Sequence, residues 1–306
     1  MRPIRPALRS GKRMLLRTEH LTKDYCRSRA LDDLNLTVGR GEVFGLLGPN
    51  GSGKTTALRL LLGFLRPTAG HACIEGHECW RDSVAARRCV AYLPGELRLY
   101  ETMSGRQLIH FLSRLRGQAV NPELDQLARR FDIDLDRPLA HLSSGMKRKV
   151  ALLQVLVPHA PLVIMDEPTN TLDPTMRGEL LGQVREARAR GQTVLFSSHV
   201  LSEVEEVCDR VAILQRGRLA HLQVMSELRE GRLIDARFTG AVEPLPVLEG
   251  LVVRARQEDR LTLEYAGPLP PLLTWLAQQP LVHLRMEPLG LKAIYHRYHG
   301  GDAKEA

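Results

Sequence analysis

The run "GPNGSGKTT" (48–56) sets three glycines, a lysine and two threonines at spacings that suit the holding of phosphate. Gly48, Gly51 and Gly53 carry no Cβ, so the backbone can wrap around a polyanion and aim successive N–H groups at its oxygens. Lys54 then meets the β and γ oxygens, and Thr55 offers its hydroxyl to Mg²⁺. We read Gly48, Pro49, Asn50, Gly51, Ser52, Gly53, Lys54, Thr55 and Thr56 as one nucleotide-binding loop. A purely structural glycine-rich turn is disfavoured, because the run directly follows an apolar segment and opens a helical one. The expected ligand is a nucleoside triphosphate with Mg²⁺.

Further along, "LVIMDEP" (162–168) delivers two carboxylates at the end of an apolar segment. Asp166 is placed to hold Mg²⁺, directly or through water, and Glu167 to polarise a water attacking the γ-phosphate. The competing reading is an exposed acidic turn after a strand. With the phosphate loop upstream, the pair implies hydrolysis rather than binding alone.

A third stretch, "HLSSGMKRKVALLQVL" (141–156), holds neither a base nor a metal ligand in its turn. The small residues Ser143, Ser144 and Gly145 would let N–H groups converge on an anion at the start of a helix. The same turn reads equally as an ordinary N-cap, and taken by itself it favours the cap.

Positioning these residues requires an α/β arrangement. From 14 to about 225 short apolar runs alternate with amphipathic ones, the mark of a largely parallel sheet. Segments 42–48, 162–167, 193–199 and 210–220 read as strands, and 54–65 and 176–191 as helices, the latter ending at Gly191. Between about 99 and 160 the pattern turns helical, suggesting an inserted lobe. After 225 the character changes: "RLIDARFTG", "LVVRARQ", "RLTLEYAG" and "VHLRMEP" read as strands and "LPPLLTWLAQQ" and "GLKAIYHRYHG" as helices, a small α+β domain over 226–306. Residues 1–13 read as a basic tail without the apolar stretch of a secretory signal, and Met14 is an alternative start.

The 306 residues suffice for a large and a small domain, and a formal charge of +8 keeps polyanionic partners in view. The longest apolar stretch, 150–165, is too short to span a bilayer and is broken by Pro158, His159 and Pro161. Five scattered cysteines suit a reducing compartment. His71, Cys73, His77 and Cys79 in "HACIEGHEC" lack the usual zinc spacing, and an extended segment with a Glu-Gly turn fits better.

Taken in order, the phosphate loop, "LSSGM" (142–146), "MDEP", "TNTLDP" (169–174) and "SSH" (197–199) resemble the ATP-binding subunit of ABC transporters over about 14–225. The resemblance implies a P-loop NTPase core with a mostly parallel sheet, and head-to-tail homodimers in which Ser143 and Gly145 contact the γ-phosphate of ATP bound to the other copy. It also implies that Tyr25 stacks on adenine, against the plainer reading of a buried tyrosine. Asp173 would couple the two sites and His199 would hydrogen-bond the γ-phosphate.

Two departures stand out. Ser144 and Met146 replace the usual Gly and Gln of the signature, and Gly95 stands where a Gln near Mg²⁺ is common, with Glu96 a partial substitute. The likeness extends to bacterial drug- and antibiotic-resistance ATPases, implying an exporter subunit at the cytoplasmic face of the membrane, working with a separate integral membrane permease. A soluble ATPase acting on ribosomes or nucleic acid and an importer ATPase are the alternatives. The single phosphate loop and the lack of a basic stripe interleaved with aromatics disfavour a nucleic-acid partner.

Overall fold

The computed structural model describes residues 13–26, 28–117, 119, 122–157, 160–240 and 245–299. Apart from Arg13, the expected basic tail lies outside the described residues, as do Pro158 and His159. The chain divides into two compact units, 1–222 and 223–306; the sequence reading put the boundary at 225/226.

In the first unit β1 (Met14–Tyr25) and β2 (Ser28–Gly39) form an antiparallel pair, followed by β3 (Val43–Leu47) and α1 (Lys54–Leu61). Next come β4 (Ala69–Ile74), β5 (His77–Glu78), α2 (Ser83–Arg88) and β6 (Val90–Leu93). The helical lobe holds α3 (Gly105–Leu115), α4 (Leu124–Arg130), a 3-10 turn (Leu139–His141) and α5 (Ser144–Leu156). Then follow β7 (Leu162–Asp166), α6 (Pro174–Ala189), β8 (Thr193–Ser198), α7 (Leu201–Val207), β9 (Arg210–Gln215) and β10 (Arg218–Val224).

The six-stranded sheet runs β10-β9-β3-β8-β7-β6, and the pairings of β3 with β8 and β9, and of β7 with β6 and β8, are parallel. Every residue of β3, β7 and β8 is buried, as strands covered on both faces must be. Leu46, Leu162, Ile164, Leu195 and Ala212 from this sheet join Leu16, Leu34 and Ile74 from the first strands in one apolar core. In register, Leu47 lies beside Ser198 and Asp166 beside Ser197, so three adjacent parallel strands end together. That edge is where open α/β sheets place their ligands.

One expectation needs correction. The strand expected over 210–220 is two strands, because Arg216 and Gly217 both take positive φ (48° and 78°) and form a tight turn. The expected parallel sheet is present, and β2-β1-β4-β5 make a separate antiparallel sheet in the same unit. Within it, "HACIEGHEC" turns at Glu75 and Gly76, also at positive φ, and among the described residues no group of three or more metal-ligand side chains forms. His71 faces Glu19 (3.8 Å), His77 faces Asp82 (3.4 Å), and Cys79 is buried.

The second unit opens with α8 (Met225–Glu230) and builds an antiparallel sheet in the order β12 (Leu251–Arg256), β13 (Arg260–Tyr265), β11 (Arg232–Phe238), β14 (Leu281–Pro288). Alternate residues Ile234, Ala236 and Phe238 of β11 and Leu261, Leu263 and Tyr265 of β13 point inward and pack with Leu272 and Leu276 of α9 (Leu269–Ala277). The opposite face carries ion pairs such as Asp235–Arg260 and Glu264–Arg254, and α10 (Leu291–His299) closes the unit.

Candidate active site

The phosphate loop leaves β3 through Gly48, where a Cβ would fall 2.5 Å from the Leu214 carbonyl oxygen, so only glycine fits. Gly53, at φ 103°, caps α1. Lys54 is 5% exposed, and its Nζ donates to the carbonyls of Gly48 (2.7 Å) and Pro49 (3.1 Å). Ser52 is buried with no hydrogen-bond partner for its Oγ among the described residues. An orphaned hydroxyl and a buried ammonium beneath a glycine loop fit a phosphate chain. Lys54, Thr55, Asn50 and Glu167 are among the residues lining a groove of about 260 Å³ here.

Across the groove, Thr55 Oγ1 donates to Asp166 Oδ2 (3.0 Å), and Ser197 Oγ donates to Asp166 Oδ1 (2.5 Å) while accepting the Glu167 N–H (3.0 Å). Thr55 and Asp166 thus offer the hard oxygens that Mg²⁺ prefers, and the donor set fits that ion. Glu167 takes a positive φ of 45°, uncommon for a residue with a Cβ and of a kind concentrated at functional sites. Its carboxylate accepts from Asn170 Nδ2 (2.7 Å) and lies 3.5 Å from Lys54 Nζ and 3.2 Å from His199 Nδ1. Burial pushes its pKa up, but Asn170, Lys54 and His199 together outweigh burial and hold it below the ordinary glutamate value. The carboxylate is therefore ionised and able to accept a proton.

The structure brings Lys54, Thr55, Asp166, Glu167 and His199 together within one chain. Tyr25, Ser143, Gly145 and Asp173 do not line the groove. Tyr25 is 40% exposed with Lys23 Nζ over its ring, 5.2 Å from the centroid, so the buried reading is set aside. Ser143 caps α5, accepting the Met146 N–H (3.3 Å), and Asp173 caps α6, accepting the Met176 N–H (3.0 Å). A Cβ on Gly145 would meet only the Thr171 carbonyl, at 3.4 Å. Gly95 abuts the acid pair, since a Cβ there would lie 3.4 Å from Asp166 Oδ2, and Glu96 is exposed.

Sequence reasoning assigned no role to Ser197, Asn170, Glu203 or Arg148. Glu203 is buried and accepts from both Thr169 Oγ1 (2.9 Å) and Ser198 Oγ (3.1 Å), joining the loop after Glu167 to the turn before His199. Ser197 and Asn170 lie in the "SSH" and "TNTLDP" motifs and both contact Glu167. Arg148 and Glu203 lie outside every motif that the sequence singled out.

The ABC transporter family profile matches residues 31–170. The daunorubicin resistance ATP-binding protein DrrA3 of Streptomyces coeruleorubidus is 36% identical, over 76% of this chain and 77% of its own. The Nod factor export ATP-binding protein I of Mesorhizobium japonicum is also 36% identical, over 65% of this chain and 60% of its own length. Among solved structures, an ATP-binding subunit of an ABC transporter superposes with a TM-score of 0.65 at 32% identity, over 70% of this chain and 92% of its own.

Proposed function

This chain belongs to the ATP-binding subunits of ABC transporters, and from that membership we propose that it hydrolyses ATP to drive export of a drug, antibiotic or similar compound through a separate membrane-spanning partner. The observation that carries the catalytic part is the meeting of Lys54, Asp166 and an ionised Glu167 at the ends of adjacent strands. Lys54 binds the β- and γ-phosphate oxygens, exchanging its loop carbonyls for them. Glu167 accepts a hydrogen bond, then a proton, from the water that attacks the γ-phosphorus, while His199 hydrogen-bonds the γ-phosphate. Thr55 and Asp166 would hold Mg²⁺, which would supply charge neutralisation at the phosphate oxygens.

The second part of the reading is a head-to-tail dimer in which Ser143 and Gly145 of one copy complete the other's site, Asp173 lies at the junction, and Tyr25 stacks on adenine. The surroundings of Gly145 support it, because among the described residues an added Cβ would meet only the Thr171 carbonyl, at 3.4 Å. A membrane partner is supported by two observations. No described helix is long and apolar enough to cross a membrane. Phe64, Trp80, Val84, Tyr100, Phe111 and Leu115 are exposed apolar side chains that a partner would cover. We assign the ATP-binding domain to 14–225, an interaction or regulatory domain to 226–306, and a peripheral place at the cytoplasmic face of the membrane. The relatives' names, drug resistance and export, favour the outward direction.

Two experiments test the reading. Lys54→Ala should lose nucleotide affinity and turnover together, and normal turnover would remove the loop assignment. Mild-detergent purification of the tagged chain from its own cells should recover a multispan membrane protein in stoichiometric amount. Ribosomal proteins retained at high salt in its place would overturn the exporter reading.

A further inference from the structure

Arg148 lies on α5, one turn beyond Gly145, and is 2% exposed. A buried guanidinium is costly unless its donors are satisfied. All five N–H groups of this one are spent on main-chain carbonyls: Nε on Pro168 (3.2 Å), Nη1 on Pro94 and Gly95 (2.9 Å each), and Nη2 on Asp166 (3.1 Å) and Glu167. The acceptors come from two loops, the one after β6 and the one that leaves β7. The peptide carbonyl of Glu167 is thus gripped by Arg148, and its N–H is gripped by Ser197 Oγ. Between these two holds the backbone keeps its positive φ of 45°, a strained conformation that persists only where the surroundings impose it.

We propose that Arg148 is a positioning residue for hydrolysis: by fixing the carbonyls on either side of Glu167 it aims that carboxylate at the attacking water, and it ties this aim to the position of α5. The inference rests on the assignment of Glu167 as the base. It goes further in naming what holds the base, and in making one side chain the link between the helix that starts at "LSSGM", the Gly95 loop and the acid pair. Gly95 has no side chain to report on the site, so the link runs through its carbonyl. Lysine keeps the charge, but its single ammonium offers three donors at one point and cannot span both loops.

The test uses the full chain with Arg148→Lys and Arg148→Gln, each alone and combined with Glu167→Gln. Mg-ATP turnover, binding of a fluorescent ATP analogue and thermal unfolding are measured for each. We expect kcat to fall at least about tenfold with Arg148→Lys while KM and nucleotide affinity stay within about threefold. We also expect no further loss when the same change is made in the Glu167→Gln background, because residues that act as a unit are not additive. Turnover within twofold of the parent, an equal fractional loss in both backgrounds, or loss of cooperative unfolding in both variants would each overturn the proposal. A parent chain that fails to hydrolyse ATP would instead sink the assignment of Glu167 and leave a different signature, since no variant could then be compared.

Discussion

Glu167 keeps its charge because Asn170, Lys54 and His199 outweigh the burial that would neutralise it. With Glu167→Gln, water activation should fail while the phosphate contacts survive, so kcat should drop by about 10²–10⁴-fold with nucleotide binding nearly unchanged. The pH dependence follows from the direction of the shift. A carboxyl whose folded pKa is depressed stays ionised down to that lowered value, and the stability it contributes is present above the unfolded pKa and lost only as pH falls through the folded one. Any acid limb of kcat/KM that belongs to Glu167 should therefore lie below its ordinary value of 4.5. Asn170→Ala removes the largest stabilising contact and should move the limb upward. A limb near neutrality that ignores Asn170→Ala would contradict the assignment. At this scale the sequence was informative wherever a motif fixed both residue type and spacing, as for Lys54, Asp166 and Glu167. It was silent on Arg148 and Glu203, whose burial comes from packing rather than from local pattern.

At the scale of elements, α5 is the informative helix. Ser143 does serve as its N-cap, so the plain reading of "LSSGM" holds within one chain, and it leaves a second role open. Gly145→Ala separates the two: alanine suits the helix and its Cβ meets one carbonyl at 3.4 Å, so the melting temperature should hold or rise slightly. Turnover should fall, because the added methyl would sit where a phosphate from the other copy must approach. Equal turnover with equal stability would remove the phosphate role from Gly145. The buried parallel strands β3, β7 and β8 were legible as unbroken apolar runs. The antiparallel pair β1–β2 was not, because register shifts such as those at Met14/Leu16 and Thr18/Leu21 interrupt the two-residue period that would have announced it. The split of β9 from β10 hides in Arg216–Gly217, where a basic residue takes a positive φ that residue type does not advertise.

For the molecule as a whole, the catalytic groups of one chain are assembled, yet the residues read as touching the γ-phosphate from "LSSGM" stand outside its groove. In the proposed reading a second copy completes the site, and closure of two copies around ATP is the step that would move a membrane partner. The second unit holds its own apolar core and turns a face of paired charges outward, which is why its strands were legible in the sequence while its role was not. The most direct test of the central claim is the mass of Glu167→Gln in solution, by light scattering, with and without saturating Mg-ATP. The account predicts a single chain of 34.3 kDa without nucleotide and twice that mass with it. A mass that stays at one chain with ATP demonstrably bound would contradict the shared site.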